Sequence, residues 1–317
     1  MSTIGGAFSG LISFGVFQIH CGIPSWKFLF LIEGGATVLL SAFAVWWLPQ
    51  TGDRCYLFNE AEKHVAKMRL LQDAGRPAVG EMVKMNTKQA LRSLLDWRIM
   101  AWAVCAFCYG VAQNSVSNYM PQMVALLGYS TVRTNLLTVS PYCVGTVVLW
   151  CMCFSSDYLR ERSFHLASAL VMALMGFILL IAVDPFTHKN VAYCACFLLS
   201  SSFICTPIFH GFYSNNIVDE TQRAATVGFM VGSANSAGIA ANLAFTSNTA
   251  PRYLPALVVN CVFLATGIVM VVGMGLFLRL DNRRRDKLQG TVHILGDDVA
   301  TQELAGGWND PNWRWTV

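Results

Sequence analysis

The sequence predicts an all-α membrane protein that crosses the bilayer many times. Of its 317 residues, 55% are hydrophobic and only 13% are charged, and the mean hydropathy is +0.48. A soluble domain carries about 25% charged residues. Asp, Glu, Lys and Arg are absent between Ile99 and Pro121, and again between Asn135 and Phe154. A helix of about 20 such residues, at about 1.5 Å per residue, crosses the roughly 30 Å hydrocarbon layer.

Eight runs of this kind are predicted to be membrane spans. They lie at about 2–19, 28–48, 99–121, 135–154, 164–183, 190–213, 224–246 and 253–278. We interpret them as helices, because backbone polar groups in lipid must be satisfied within the segment, and the runs do not alternate as barrel strands do. The first span has no positive segment before it and contains Gly6 and Gly10, so we expect an interior packing helix rather than a signal peptide. Gly228 and Gly232 repeat this four-residue spacing and also predict close helix packing.

The loops predict the orientation of the chain. If segment 49–98 is cytoplasmic and the spans alternate, 18 of the 22 Lys and Arg residues lie on the cytoplasmic side, together with both termini. The positive-inside rule favours this arrangement. Segment 49–98 is predicted to contain two short helices, at 58–72 and 87–97, either solvated or lying on the membrane surface. A basic run follows the last span and suits the anionic inner leaflet, and the remainder to 317 is expected to be poorly ordered.

The composition also argues against several functions. A net charge of +4 is too small to indicate nucleic-acid binding. Most of the 11 cysteines lie inside apolar runs, where they behave as small hydrophobes, and no zinc-type spacing occurs, so neither a metal nor a cofactor is expected. The sequence has no paired intramembrane acids, no histidine box and no nucleophile motif. We therefore do not expect an enzyme.

Several strings resemble the major facilitator superfamily, and in particular its fungal anion:cation symporter branch, which includes allantoate and nicotinic acid permeases. The string Trp26-Lys-Phe-Leu-Phe-Leu-Ile-Glu33-Gly34 is similar to "WRWLFIIEG" of span six. "ANLLSVPPY…SDRLRRR" of span eight is matched by Asn135-Leu-Leu, Pro141-Tyr142 and Ser156-Asp157-Tyr-Leu-Arg160. Nearer the end of the chain, Ala250-Pro251-Arg252-Tyr253 is similar to "DAPRY" and Asn312-Trp-Arg-Trp to "NPxFRY". Where the family has "GNxGG" in span eleven, this chain keeps Asn235 and Gly238. The resemblance gives Asn235 a role in helix packing.

This resemblance implies a helical bundle with about eight of twelve spans present. Residues 1–48 would be the last two spans of the N-terminal half, 49–98 the cytoplasmic central loop, 99–278 the six-span C-terminal half, and 279–317 a cytoplasmic tail. Spans one to four would be absent. The implied function is proton-coupled transport of a small organic anion (a vitamin, ureide or other carboxylate) by alternating access, as a monomer in the plasma membrane. The alternative is a non-transporting membrane protein that lacks half of the substrate cavity.

The resemblance further implies that spans seven and ten line the substrate cavity, and both carry polar residues on one face. These are Tyr109, Gln113, Asn114, Ser117 and Asn118 in span seven, and Thr206, His210 and Tyr213 in span ten. Amides and hydroxyls can both donate to and accept from a carboxylate or ureide, although they can equally bond one helix to another. A histidine titrates near neutrality, so His210 is either a proton-coupling residue or a hydrogen-bonded structural residue.

Charged residues provide two further candidates. Glu33 is the one Asp, Glu, Lys or Arg within the eight predicted spans, and intramembrane acids are often functional. It is either a proton-coupling residue or a snorkelling residue close to Lys27. After span eight, the resemblance implies that Asp157 forms a conformational latch with Arg160 or Arg162. The alternative there is topology signalling by the arginines.

Overall fold

All regular secondary structure in the described residues is helical. A computed structural model describes residues 2–16, 18, 24–49, 55–73, 91–92, 94–125, 127–129, 131–217, 219–290, 308 and 310–317. Its helices are α1 (Ser2–Val16), α2 (Ser25–Trp47), α3 (Glu60–Asp73), α4 (Trp97–Ala125), α5 (Thr131–Tyr158), α6 (Ser163–Ala182), α7 (Lys189–Leu199), α8 (Cys205–Ser214), α9 (Glu220–Ala244) and α10 (Leu254–Gln289). No described residue is in a strand, so the predicted all-α class is confirmed.

Six segments of the described chain are long and apolar enough to cross a membrane. They are Ser25–Trp47, Trp97–Ala125, Arg133–Tyr158, Ser163–Ala182, Lys189–Ser214 and Leu254–Gln289, which match six of the eight predicted spans. The other two predicted spans are also helical. They correspond to α1, with 15 described residues, and to α9, whose 25 residues include many small and polar side chains.

Helix α4 forms the centre of the bundle. It packs against α9 and α10, while α6 packs against α10 and α7, and α5 packs against α1. The approach of α9 to α4 is close because position 110 has no side chain: a Cβ at Gly110 would lie 2.6 Å from the carbonyl oxygen of Ala234. This contact differs from the predicted one. A Cβ at Gly228 or Gly232 would have no heavy atom within 4 Å among the described residues.

The N-terminal helices carry exposed apolar surface. No residue of α2 is buried, and Val45 and Trp46 are 87% and 77% exposed. Such a surface is stable only against lipid or further protein. Helix α1 contacts α2 as well as α5, but the surroundings of Gly6 and Gly10 lie outside the described residues, so their predicted packing stays a prediction.

One predicted span is broken in its middle. Helices α7 and α8 are joined by a 3₁₀ turn, Ser200–Ile204. The Ser200 and Ser201 hydroxyls each donate to a carbonyl three residues earlier, at 2.6 Å. Serine hydroxyls that bond to the backbone compete with regular helix hydrogen bonds, and a 3₁₀ stretch within a helix is typical of a hinge. The turn therefore sets the direction of α8.

The C-terminal residues correct a prediction. Residues 313–315 were expected to be part of a poorly ordered tail, yet Trp313, Arg314 and Trp315 are only 3%, 3% and 2% exposed. They fold back against the bundle. The composition of the Gly-rich stretch suggested disorder, but the two indole rings bury enough surface to offset the cost of ordering these residues.

Candidate functional site

A polar cavity of about 150 Å³ lies between α4, α8 and α9. Its lining residues are Tyr109, Gln113, Asn114 and Ser117 from α4, Thr206 and His210 from α8, and Val231, Ala234 and Asn235 from α9. The two polar stripes that the sequence predicted on separate spans thus face the same space. The volume is below the roughly 300–1,000 Å³ of pockets for drug-sized ligands, so it suits a small polar molecule or part of a larger one.

A hydrogen bond joins the two stripes. The Thr206 hydroxyl donates to Oε1 of Gln113 at 2.6 Å, which ties α8 to α4 at the cavity wall. The bond uses the oxygen of the Gln113 amide. The amide nitrogen is therefore the part of this side chain that can donate to a bound molecule.

Asn114 serves mainly to connect helices. Its Nδ2 atom donates to the carbonyl oxygens of Gly110 at 2.8 Å and Ala234 at 3.1 Å, and so holds α9 against α4. Both hydrogens of the amide are engaged. The Asn114 nitrogen therefore bonds one helix to another, which is the alternative to substrate binding that we considered for the polar stripe. Only Oδ1 of Asn114 is left to accept a hydrogen bond from a ligand.

His210 is oriented from behind by Tyr213. The His210 Nδ1 atom and the Tyr213 hydroxyl are 2.5 Å apart, and Tyr213 is fully buried and does not line the cavity. The Tyr213 ring packs beside Phe209 and Trp102, with ring centroids 5.2 and 6.4 Å away. When the hydroxyl donates to Nδ1, the proton of the neutral imidazole is on Nε2. Nε2 of His210 is then the ring nitrogen that can bond to a molecule in the cavity.

The remaining predicted site residues lie elsewhere. Asn118 is exposed one turn beyond Asn114 and is not among the lining residues. Glu33 lies on α2, is half-buried, and does not line the cavity either. Asn235, predicted as a packing residue, is exposed and lines the cavity. The signal that could have identified it is an amide side chain one turn after Val231, within a predicted membrane span.

Two of the residues predicted to form a latch, Asp157 and Arg162, make an ion pair. Nη2 of Arg162 lies 3.1 Å from Oδ1 of Asp157, whose side chain is 69% exposed. Arg162 also covers Gly211 of α8, where a Cβ would overlap with Nη1 of Arg162. Arg160 is exposed and has a left-handed backbone, with φ of 51°. The turn between α5 and α6 therefore touches α8 through Arg162.

Glu161, which the sequence did not single out, has the more extensive contacts at this turn. Its carboxylate accepts from Nη2 of Arg279 at 2.6 Å, the Ser163 hydroxyl at 2.7 Å and the Phe164 amide at 2.9 Å, and it lies 3.1 Å from Nδ1 of His165. It caps α6 and ties it to α10. An acid three residues before the start of the span predicted at 164–183 was the available signal.

Comparison with known proteins identifies the class. Residues 1–242 match the Major Facilitator Superfamily, and the chain belongs to this family. Together with its apolar helices, this makes it an integral, multi-pass membrane protein. The relatives described next bear the names of transporters, not of enzymes, which agrees with the expectation that the chain is not an enzyme.

Three relatives illustrate the similarity. The chain is 52% identical, over its whole length, to the MFS-type transporter efuF of Hormonema carpetanum. It is 41% and 35% identical, over 99% of its length, to the major facilitator-type transporter hxnP of Emericella nidulans and to the uncharacterized transporter C1039.04 of Schizosaccharomyces pombe. It spans 63%, 63% and 62% of the lengths of these three proteins.

Proposed function

We propose that the chain acts in secondary active transport of a small organic anion, such as a vitamin, ureide or other carboxylate, together with protons. The observation that carries this proposal is the meeting of two polar stripes, from α4 and α8, on one cavity inside an apolar bundle. Transporter sites typically lie between helices and are lined by polar side chains on broken helices. The 3₁₀ turn that directs α8 fits this pattern.

The lining favours an anion that enters with a proton. No Asp, Glu, Lys or Arg occurs among the described lining residues, and His210 is the one that ordinarily titrates near neutrality. A carboxylate in a cavity of low dielectric needs a compensating charge. Protonated His210 would supply it, while Gln113, Ser117 and Asn235 would donate hydrogen bonds. Proton and anion would then raise each other's affinity.

Three further roles belong to this proposal. Glu33 on α2 is a second proton-coupling candidate, outside the cavity lining. The pair of Asp157 and Arg162 is a conformational latch, and Glu161 reinforces the same turn. The bias of Lys and Arg toward one side supports cytoplasmic termini, and we place the protein in the plasma membrane as a monomer.

The test is uptake into proteoliposomes of a panel of labelled carboxylates and ureides, between pH 5 and 8. We expect one or more anions to enter above the level of empty vesicles, more strongly at acidic external pH. His210→Gln should flatten this pH dependence and lower uptake at acidic pH by about tenfold, since losing one charge contact costs about 1.4 kcal/mol or more.

His188→Gln is the matched control, because His188 is exposed in the loop between α6 and α7. It should leave the pH profile unchanged. Lack of uptake of every anion by correctly inserted protein would contradict anion transport. Unchanged pH dependence in His210→Gln would contradict the role of His210 while leaving transport itself intact.

A further inference from the structure

The end of the described chain lies in a groove at one end of the bundle. The groove is formed by the start of α4, the residues after α8 and the last three turns of α10, and it holds residues 313–317. Trp313, Arg314 and Trp315 are buried in it. We call this surface the C-terminal groove.

Two buried asparagines hold the backbone of the segment. Asn282 donates from Nδ2 to the Trp315 carbonyl at 2.9 Å and accepts from the Trp315 amide at 2.8 Å. Asn216 makes the same pair of bonds with Thr316, at 2.8 and 2.9 Å. Each side-chain amide thus pairs with a residue as a neighbouring β-strand would. Leaving such buried amides unpaired is costly, so the groove is built for an extended peptide.

Side chains of the groove select Arg314 and Trp315. The guanidinium of Arg314 donates to Oδ1 of Asp286 at 2.7 Å and to Oε1 of Gln289 at 2.6 Å. Its Nη1 atom donates to two carbonyl oxygens of the segment itself, so every guanidinium nitrogen has an acceptor. The Trp315 indole donates to Asp281 at 2.7 Å. A lysine would be unable to reproduce this planar set of donors.

Aromatic contacts tie the segment to α4. The Arg98 guanidinium lies 5.2 and 5.3 Å from the ring centroids of Trp308 and Trp315, within cation–π range. Trp308 also donates to the Asn216 carbonyl and packs beside Trp102, with ring centroids 6.3 Å apart. Trp102 is the residue that contacts Tyr213 behind the cavity.

The far end of the segment reaches the latch. The backbone amide of Arg162 donates to the Val317 carbonyl at 2.8 Å. Arg162 is the residue that pairs with Asp157 and covers Gly211. One short peptide therefore touches α4, α10, the residues after α8 and the turn between α5 and α6.

We propose that the C-terminal groove is a peptide-binding site whose ligand is the chain's own segment 313–317, with an arginine between two tryptophans. Occupancy of the groove holds the ends of α4, α8 and α10 and the turn between α5 and α6 together. Release of the segment frees these ends. This site is independent of the substrate, so it stands or falls apart from anion transport.

Trypsin provides a direct test, because Arg314 is the one Lys or Arg between 291 and 317 and its side chain is 1% exposed. In the folded protein we expect cleavage after Arg314 to be slow. Mass spectrometry measures the rate of this cleavage. Asn282→Ala and Asn216→Ala should each speed this cleavage about tenfold or more, because each removes two hydrogen bonds to the segment. Leu280→Ala, at an exposed position on α10, is the matched control and should leave the rate unchanged.

Hydrogen exchange tests whether the bound segment holds these helix ends together. In Asn282→Ala, amide protection should fall around 97–102, 211–217 and 279–289, and it should stay unchanged in the middle of α5. A synthetic peptide of residues 310–317, added in excess to Arg314→Ala, which weakens the chain's own segment but leaves the groove intact, should restore protection there, whereas the same peptide with alanine in place of its arginine should not. Rapid cleavage after Arg314 in the unaltered protein, equal rates in the asparagine variants and the control, or equal rescue by both peptides would each overturn the proposal.

Discussion

Glu161 and Asp157 lie four residues apart, yet their surroundings differ. The Asp157 carboxylate is 69% exposed and pairs with Arg162, whereas the Glu161 carboxylate is 20% exposed and has four partners. Exposed ion pairs contribute little, because water screens them and side-chain entropy opposes them. Removing one partner of a less exposed network leaves the others without an acceptor.

Substitution of these two acids should therefore have unequal effects. Glu161→Gln is expected to lower the free energy of unfolding by about 1–3 kcal/mol, since Arg279 and His165 lose a charged partner. Asp157→Asn should cost less than about 1 kcal/mol. Thermal unfolding of the purified variants in the same detergent measures both. An equal or larger loss in Asp157→Asn would place the main contact of this turn at the pair of Asp157 and Arg162 instead.

The periodicity of the sequence predicted those cavity residues that lie together on one face of a single helix. Three- and four-residue steps located Gln113 and His210, because polar side chains are rare in apolar spans. The bond between Thr206 and Gln113, and the placement of Asn235, depend on which helices become neighbours. No local pattern in the sequence contains that information.

At the level of elements, two glycines of similar sequence context have opposite surroundings. Gly145 of α5 lies against the 3₁₀ turn, where a Cβ would meet the Ser200 hydroxyl oxygen at 2.6 Å. Gly228 of α9 has open space around it in the described structure. The close approach of α5 to the 3₁₀ turn requires glycine at position 145, whereas no described neighbour requires it at position 228.

The two alanine variants should therefore change stability in opposite directions. Gly145→Ala is expected to cost about 1–3 kcal/mol, because α5 must move away from the turn. Gly228→Ala should be neutral or stabilising by up to about 1 kcal/mol, since alanine favours helix. Melting temperatures measured side by side decide this. A large loss in Gly228→Ala would support the packing role that the sequence predicted for that residue.

The boundaries of the elements show where prediction from sequence reached its limit. The span at 190–213 was predicted as one helix, and its break follows from serine hydroxyls that bond to carbonyls of α7 and, at 3.1 Å, to Ala169 of α6. The last span was predicted to end at 278, but α10 has 36 residues and runs through the basic segment to Gln289. Arg285 and Gln289 are held there by bonds to residues 308–312. Contacts distant in sequence decide both features.

For the whole molecule, the distribution of charge predicts an orientation that can be measured. Lys27 and Lys189 lie in the first turns of α2 and α7, at the side of the membrane predicted to hold few Lys and Arg residues, and Lys63 lies on α3, within the segment predicted to be cytoplasmic. In intact cells, a membrane-impermeant amine reagent should label Lys27 and Lys189 and spare Lys63, because cytoplasmic loops are enriched in Lys and Arg. All three should react after the cells are opened. Labelling of Lys63 in sealed cells would reverse the assignment.

The groove gives the protein a built-in optical signal. Trp102, Trp308, Trp313 and Trp315 form one chain of neighbouring rings, with successive centroid distances of 6.3, 5.6 and 5.5 Å in the order Trp102–Trp308–Trp315–Trp313. Indoles held this close in a fixed chiral arrangement produce strong near-ultraviolet circular dichroism, which disappears when the rings separate. Because Trp313 and Trp315 belong to the segment 313–317, its attachment and release can be followed in time by the difference in absorbance of left- and right-circularly polarised light, without any added dye.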